Sequence, residues 1–168
     1  MTPISQYELQ DHIAVELARI YSNEFKEVFF VAVGHYSDCD LVSRSGNVKL
    51  EIKCETTPIR TGNVCLEFWN TSLNKPSGVL STKATVWLHL VLETQGFVAY
   101  EYDIDTLRRL VIEHGVVKSN GRNALCKIIP LGIFKKYARR SFPLQSRFVE
   151  EVKMQGGING STESKPTD

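Results

Sequence analysis

The chain has 168 residues, 42% of them apolar, 23% charged and 10% aromatic, which suits one domain with its own core and excludes disordered, collagen-like and coiled-coil proteins. Its longest apolar runs, 28–33 and 86–92, fall far short of the roughly 20 residues of a membrane-spanning helix. The net charge of +1 divides unevenly, with 8 Lys+Arg against 13 Asp+Glu in residues 1–103 and 11 against 4 in residues 104–153. That pattern suits a carboxylate site beside a basic surface, and equally two solvated faces in balance.

Ile13, Leu17, Ile20, Tyr21 and Phe25 recur at helical spacing after Ser5, a candidate N-cap with Glu8 three residues on, which predicts a helix over 6–25. Strand-like segments follow at 28–33, at 40–43 and at 48–54, with Ser45-Gly46-Asn47 turning the last two into a hairpin. Residues 56–62 read as a polar connection, 63–69 as a strand, 70–78 as a loop and 80–84 as a short helical turn. Two adjacent strands, 85–92 and 96–102, precede a helix capped by Asp103 or Asp105 that runs to about Glu113 and ends at His114-Gly115. A last strand covers 126–129, and Pro130 begins a basic amphipathic segment reaching Tyr137 or beyond. The sum is a central mixed sheet with helices packed on it. A single domain over 1–153 and a flexible tail over 154–168 are expected.

The N-terminus lacks the basic start and apolar stretch of a secretion signal, which points to a cytoplasmic protein. Cys39, Cys54, Cys65 and Cys126 show neither a C-x-x-C pair nor the Cys/His spacing of a zinc site and read as free thiols.

The chemically informative stretch is Ser37-Asp38-Cys39-Asp40-Leu41 followed by the strand over 48–55. In that strand Val48, Leu50, Ile52 and Cys54 share one face, and Lys49, Glu51, Lys53 and Glu55 the other. Glu51 and Lys53 thus leave the same face with Cα atoms about 6.5–7 Å apart. Hairpin pairing sets Asp40 near Glu51. Two carboxylates and the carbonyl of Ile52 could hold Mg²⁺, a cation that takes oxygen ligands and keeps several waters. The Lys53 ammonium would help lower the pKa of an attacking water and offset charge developing on a phosphate.

At Asp40, Glu51, Ile52 and Lys53 the sequence resembles the PD-(D/E)XK nuclease superfamily, whose pattern is an Asp, a short interval, then (D/E)-X-K in a hairpin. Residues 61–67, and 76–84 leading into Val86-Trp87-Leu88, are similar to small phage or mobile-element members, so the resemblance spans roughly residues 8–102 in element order. Cys39 stands where the pattern has Pro. The resemblance implies an α/β, restriction-endonuclease-like αβββαβ core and a Mg²⁺-dependent phosphodiesterase acting on DNA, with Mn²⁺ able to substitute.

Asp38 rivals Asp40 as the ligand. Glu16, about 100° from Leu17 at helical pitch, matches the helix glutamate of many superfamily members; its alternatives are a surface glutamate and, on the opposite side, Glu8. Glu67, on a strand face with Cys65 and Trp69, extends the metal site or pairs with a Lys. Lys83, after Ser81-Thr82 at an expected helix start, meets a phosphate or is an ordinary exposed lysine. The four histidines, His12, His35, His89 and His114, share no spacing and read as structural. Arg108, Arg109, Lys118, Arg122, Lys127 and Arg147 belong to a basic set whose densest part, Lys135-Lys136 and Arg139-Arg140 with Phe134 and Tyr137 between, recurs at helical spacing as a strip for DNA phosphates. A homodimer is expected, because a single small domain needs a second copy to cut both strands of a duplex at once. The competing class is a non-catalytic DNA-binding or interaction module on the same fold, with Asp40, Glu51 and Lys53 as a structural ion-pair cluster.

Overall fold

The computed structural model describes residues 6–32 and 39–144. Helix α1 (Gln6–Phe25) forms where the apolar spacing places it, burying Ile13, Leu17 and Tyr21. It stops before Lys26, whose φ of 55° is the left-handed terminator more often supplied by glycine. Strands β1 (Phe29–Val31), β2 (Leu41–Ser43) and β3 (Lys49–Glu55) follow, then a short α2 (Pro58–Thr61). Next come β4 (Asn63–Asn70), β5 (Lys75–Pro76), a 3-10 turn (Gly78–Leu80), β6 (Val86–Glu93) and β7 (Gly96–Asp103). Helix α3 (Ile104–Glu113), β8 (Val116–Ser119), β9 (Ala124–Pro130), α4 (Leu131–Lys136) and β10 (Arg140–Pro143) complete the chain.

The main sheet has the order β1-β2-β3-β6-β7-β10, and it is mixed because β3 and β6 run parallel while its other neighbours are antiparallel. A parallel pair needs a crossover. Here the crossover carries α2, β4, β5 and the 3-10 turn, and β4 nucleates a second, antiparallel sheet of order β5-β4-β9-β8.

Strand alternation splits the core between the two faces of the main sheet. Leu41, Leu50, Ile52, Leu88 and Leu90 pack under α1 in one apolar cluster. Trp87, Val91, Tyr100 and Tyr102 join Val64, Leu66, Leu107 and Phe134 in the other, beneath the second sheet, α3 and α4. Helices therefore flank a central mixed sheet. Among the described residues no helix is long and apolar enough to cross a membrane.

Four local expectations change. The polar connection after β3 holds α2, with Pro58 at its start and Gly62 closing it. The helical turn expected over 80–84 lies earlier, at Gly78–Leu80, and residues 81–85 are a turn and loop leading into β6. Strand β8 is exposed at all four positions and so carries no alternation to read. The basic segment after Pro130 is helical only to Lys136; Arg140 opens β10, whose backbone pairs with β7. His35, Asp38, Arg147 and the tail lie outside the described residues.

Candidate active site

The β2–β3 hairpin closes through Gly46, whose amide donates to the Ser43 carbonyl at 2.8 Å with φ at +76°. The buried Ser43 hydroxyl accepts from Val48 N at 3.2 Å, fixing the turn from inside. Register then pairs Leu41 with Leu50 and Val42 with Lys49. One step further, Asp40 N donates to the Leu50 carbonyl at 2.8 Å and the Asp40 carboxylate accepts from Ile52 N at 2.6 Å. A side-chain oxygen thus takes the donor of Ile52 just before β2 begins.

Glu51 and Lys53 leave the opposite face of β3 from Leu50, Ile52 and Cys54, with Lys53 Nζ 3.2 Å from Glu51 Oε1. Their side chains are 18% and 46% exposed, so the acid is withdrawn from water while the ammonium reaches it. Burial pushes the Glu51 carboxyl above its ordinary value, and the Asp40 charge adds to that rise. Lys53, and a hydrogen bond from the Thr82 side chain, act against it.

Asp40, Glu51 and Lys53 are therefore brought together as expected, beside the Ile52 backbone. Glu16 is half-buried on α1, which packs on the sheet face that Glu51 does not use. Glu67 stands opposite Cys126, on the face of β4 away from Val64 and Leu66. Among the described residues no third His, Cys, Asp or Glu joins Asp40 and Glu51 in a group able to hold a metal. Lys83 is exposed in the loop that follows Thr82.

Glu55, at the far end of the same strand face, accepts from Thr57 Oγ1 at 2.7 Å and from Cys65 N at 3.1 Å, and lies 3.0 Å from His89 Nε2. The indole of Trp87 donates to His89 Nδ1 at 3.3 Å, which leaves Nε2 as the protonated nitrogen facing Glu55. Glu55 and the buried His89 tie β3, β4 and β6 together.

The basic strip does not form as one helical face. Lys135 pairs with Glu93 at 2.8 Å and lies over the Tyr100 ring. Arg140 grips Glu101 at 2.6 Å and Glu24 at 2.7 Å, and the same buried Glu101 accepts from the Tyr21 hydroxyl. Lys136 is exposed, and Arg139 is 66% exposed at 3.8 Å from Glu101. Half of the proposed strip is internal structure.

Two residues at the loop before β6 have partners that the sequence does not signal. Thr82 was legible only as a turn residue, and Arg108 only as one of many cations. Arg108 instead turns inward, donating to the Val79 carbonyl at 3.3 Å and the Thr82 carbonyl at 3.1 Å. No local periodicity marks either role.

No protein-family model matches the sequence, and comparison with curated proteins likewise finds no match. Among solved structures the chain is similar to a bacterial homing endonuclease, I-Ssp6803I, at 17% identity and a TM-score of 0.44, over 94% of this chain and 100% of that one.

Proposed function

We propose that the protein is a metal-dependent DNA endonuclease that hydrolyses phosphodiester bonds, its metal held by Asp40, Glu51 and the backbone carbonyl of Ile52. The observation that carries this reading is the meeting of two carboxylates, one from the residue before β2 and one from β3, the latter mostly buried, with a lysine 3.2 Å from the buried one. Carboxylates so placed repel each other and are short of solvent, and a divalent cation relieves both costs. The donor set is all oxygen, which suits Mg²⁺, with Mn²⁺ able to substitute. When bound, the ion would supply an activated water and neutralise charge on the phosphate.

The chain's own groups do the rest. Ile52 N–H holds one Asp40 oxygen and so fixes the carboxylate beside β3. Lys53 presents its half-exposed ammonium to solvent beside Glu51, where it draws in a phosphate oxygen and steadies the proton-losing water. Lys83, Lys136 and Arg139 are the exposed cations assigned to the DNA backbone. Glu16 and Glu67 stay outside this set. A homodimer would cut both strands of a duplex.

The Glu51–Lys53 ion pair, satisfied without any ion, favours a second reading: a DNA-binding or interaction module without turnover. The deciding experiment incubates the protein with plasmid, linear duplex, single-stranded and four-way-junction DNA, with Mg²⁺ or Mn²⁺ and with EDTA, beside Lys53→Ala. Metal-dependent cutting that the variant lacks supports the endonuclease. Intact DNA binding with every substrate uncut supports the module.

A further inference from the structure

We propose that Phe30, flanked by Arg44 and Lys49, is a stacking platform for an unpaired nucleobase of the DNA entering the candidate site, a role that rests on the endonuclease reading above. Register and alternation place it there. Phe29, Leu41 and Leu50 lie in the apolar cluster under α1. Phe30 pairs with Val42, which in turn pairs with Lys49. These three side chains therefore leave the other face of the sheet, the one that carries Asp40, Glu51 and Lys53.

That face is covered only in part. The second sheet, α3 and α4 pack on it through Trp87, Val91, Tyr100 and Tyr102, all from β6 and β7. Phe30 and Val42 join neither apolar cluster, and Phe30 is 51% exposed. A lone exposed phenyl is ordinary. Its neighbours are what point to a ligand.

Arg44, exposed, lies two residues beyond Val42, its amide donating to the Val28 carbonyl at 2.8 Å, and Lys49 is half-buried across from Val42. Among the described residues neither cation has an ion-pair partner. Glu27, an acid that precedes β1, is engaged by the Ser45 amide. A protein docked here would bury uncompensated cations, which interface cores avoid. A DNA strand answers both parts of the surface, with phosphates for the cations and a base face for the ring.

The spacing also suits DNA. At about 4.8 Å between strands and about 3.3 Å per residue, the Phe30 Cα lies roughly 8 Å from that of Asp40 and roughly 12 Å from that of Glu51. With one nucleotide per about 3.4 Å of helix axis, a base on the ring belongs about two to four nucleotides from a phosphate held at Asp40 and Glu51.

The test measures binding of the full chain, in EDTA, to a short mixed-sequence oligonucleotide, single-stranded and as duplex, by fluorescence anisotropy. Phe30→Ala should weaken single-strand binding about fivefold or more. Phe30→Trp should restore it, with indole emission quenched by DNA beyond the wild-type signal of Trp69 and Trp87. Phe30→Leu, which keeps apolar bulk without a π-face, should stay as weak as Phe30→Ala. Arg44→Gln and Lys49→Gln should each lower the salt slope of binding by about 1. A Phe30→Ala loss on single strands alone supports stacking of a strand already open, and a loss on duplex too supports stacking of a base turned out of the helix. Unchanged Phe30→Ala affinity, while wild type cuts DNA, overturns this inference and leaves the endonuclease reading intact. Phe30→Leu as tight as wild type also overturns it, because the contact would then be apolar rather than stacking. A wild-type dimer in sedimentation that Phe30→Ala dissolves, with DNA affinity unchanged, assigns the patch to a second copy of the chain and overturns it as well. A wild type that neither binds nor cuts any DNA removes both readings together. Circular dichroism checks folding, and if Phe30→Ala does not fold, Phe30→Leu against Phe30→Trp decides.

Discussion

Gly78→Ala isolates the packing that supports the Thr82 loop. Gly78 has φ at +49°, and a Cβ there would lie 2.3 Å from the Glu67 carbonyl oxygen and 2.9 Å from its carbon. Gly46 is the natural control, with φ at +76° and nothing within 4 Å of its Cβ position. Alanine in the left-handed region costs about 1–2 kcal/mol, and a stiffer unfolded chain returns about 0.4–1 kcal/mol of it. Gly46→Ala should therefore lose about 1 kcal/mol. Gly78→Ala bears the same strain plus an overlap with the backbone of β4, whose ladder with β9 resists movement. Overpacking of this kind adds about 1–3 kcal/mol, so a gap of about 2 kcal/mol is expected, or about 4–8 °C in Tm for a chain of this size. Urea and thermal unfolding followed by circular dichroism measure it. A Gly78→Ala protein as stable as Gly46→Ala would refute the close packing of the turn on β4.

Other outcomes follow from the charges. Glu101→Gln strips the buried acid from between Tyr21 and Arg140, and since Arg140 is 34% exposed and can rehydrate, the loss in urea unfolding should be about 2 kcal/mol rather than the larger figure for a sealed pair. Charge-neutral Lys136→Gln and Arg139→Gln should each lower the slope of log DNA affinity against log salt by about 1. Lys135→Gln and Arg140→Gln should instead show most of their effect as lost stability, because Glu93 and Glu101 hold those cations. In metal-free buffer, Glu51→Gln should unfold at higher urea than wild type at pH 8, since a carboxyl held above its ordinary 4.5 lowers stability while ionised. Wild-type stability due to this group should rise as pH falls through the raised value toward 4.5, and the variant should lack that slope. A less stable Glu51→Gln at pH 8 would contradict the burial argument.

What was legible in the sequence was whatever a short window encodes. The stripe of Ile13, Leu17 and Tyr21 specified α1, and the alternation from Lys49 to Glu55 specified both a strand and which of its faces is charged. Asp103 reads as a cap and is one, accepting from Thr106 N at 2.8 Å. The Asp40, Glu51 and Lys53 grouping was accessible because a tight hairpin makes register a local property. Thr85 reaches Lys49 only through the crossover that makes β3 and β6 parallel neighbours, a long-range event without a local signature. The basic strip failed for the converse reason. Helical spacing is meaningful only while the helix lasts, and after Lys136 the chain turns, with Tyr137 in contact with His114, to pair Arg140 with Glu101 in β10.

Parallel pairing of β3 with β6 sets Glu51, Lys53 and Glu55 beside Trp87, His89 and Val91, so one strand face carries two acids with different fates. Glu55 collects donors from Thr57, Cys65 and His89 and has its negative charge answered on every side. Glu51 has Lys53 and Thr82, but it also faces Asp40 and stays above its ordinary pKa. An acid whose donors are complete gains little from a cation and serves as a brace between strands. An acid that is partly buried, and still repelled by a neighbour of like charge, gains most from one. The difference lies in the partners that the tertiary fold brings to each acid, and it is why the chemistry is assigned to the Asp40 end of β3 and the structural role to the Glu55 end.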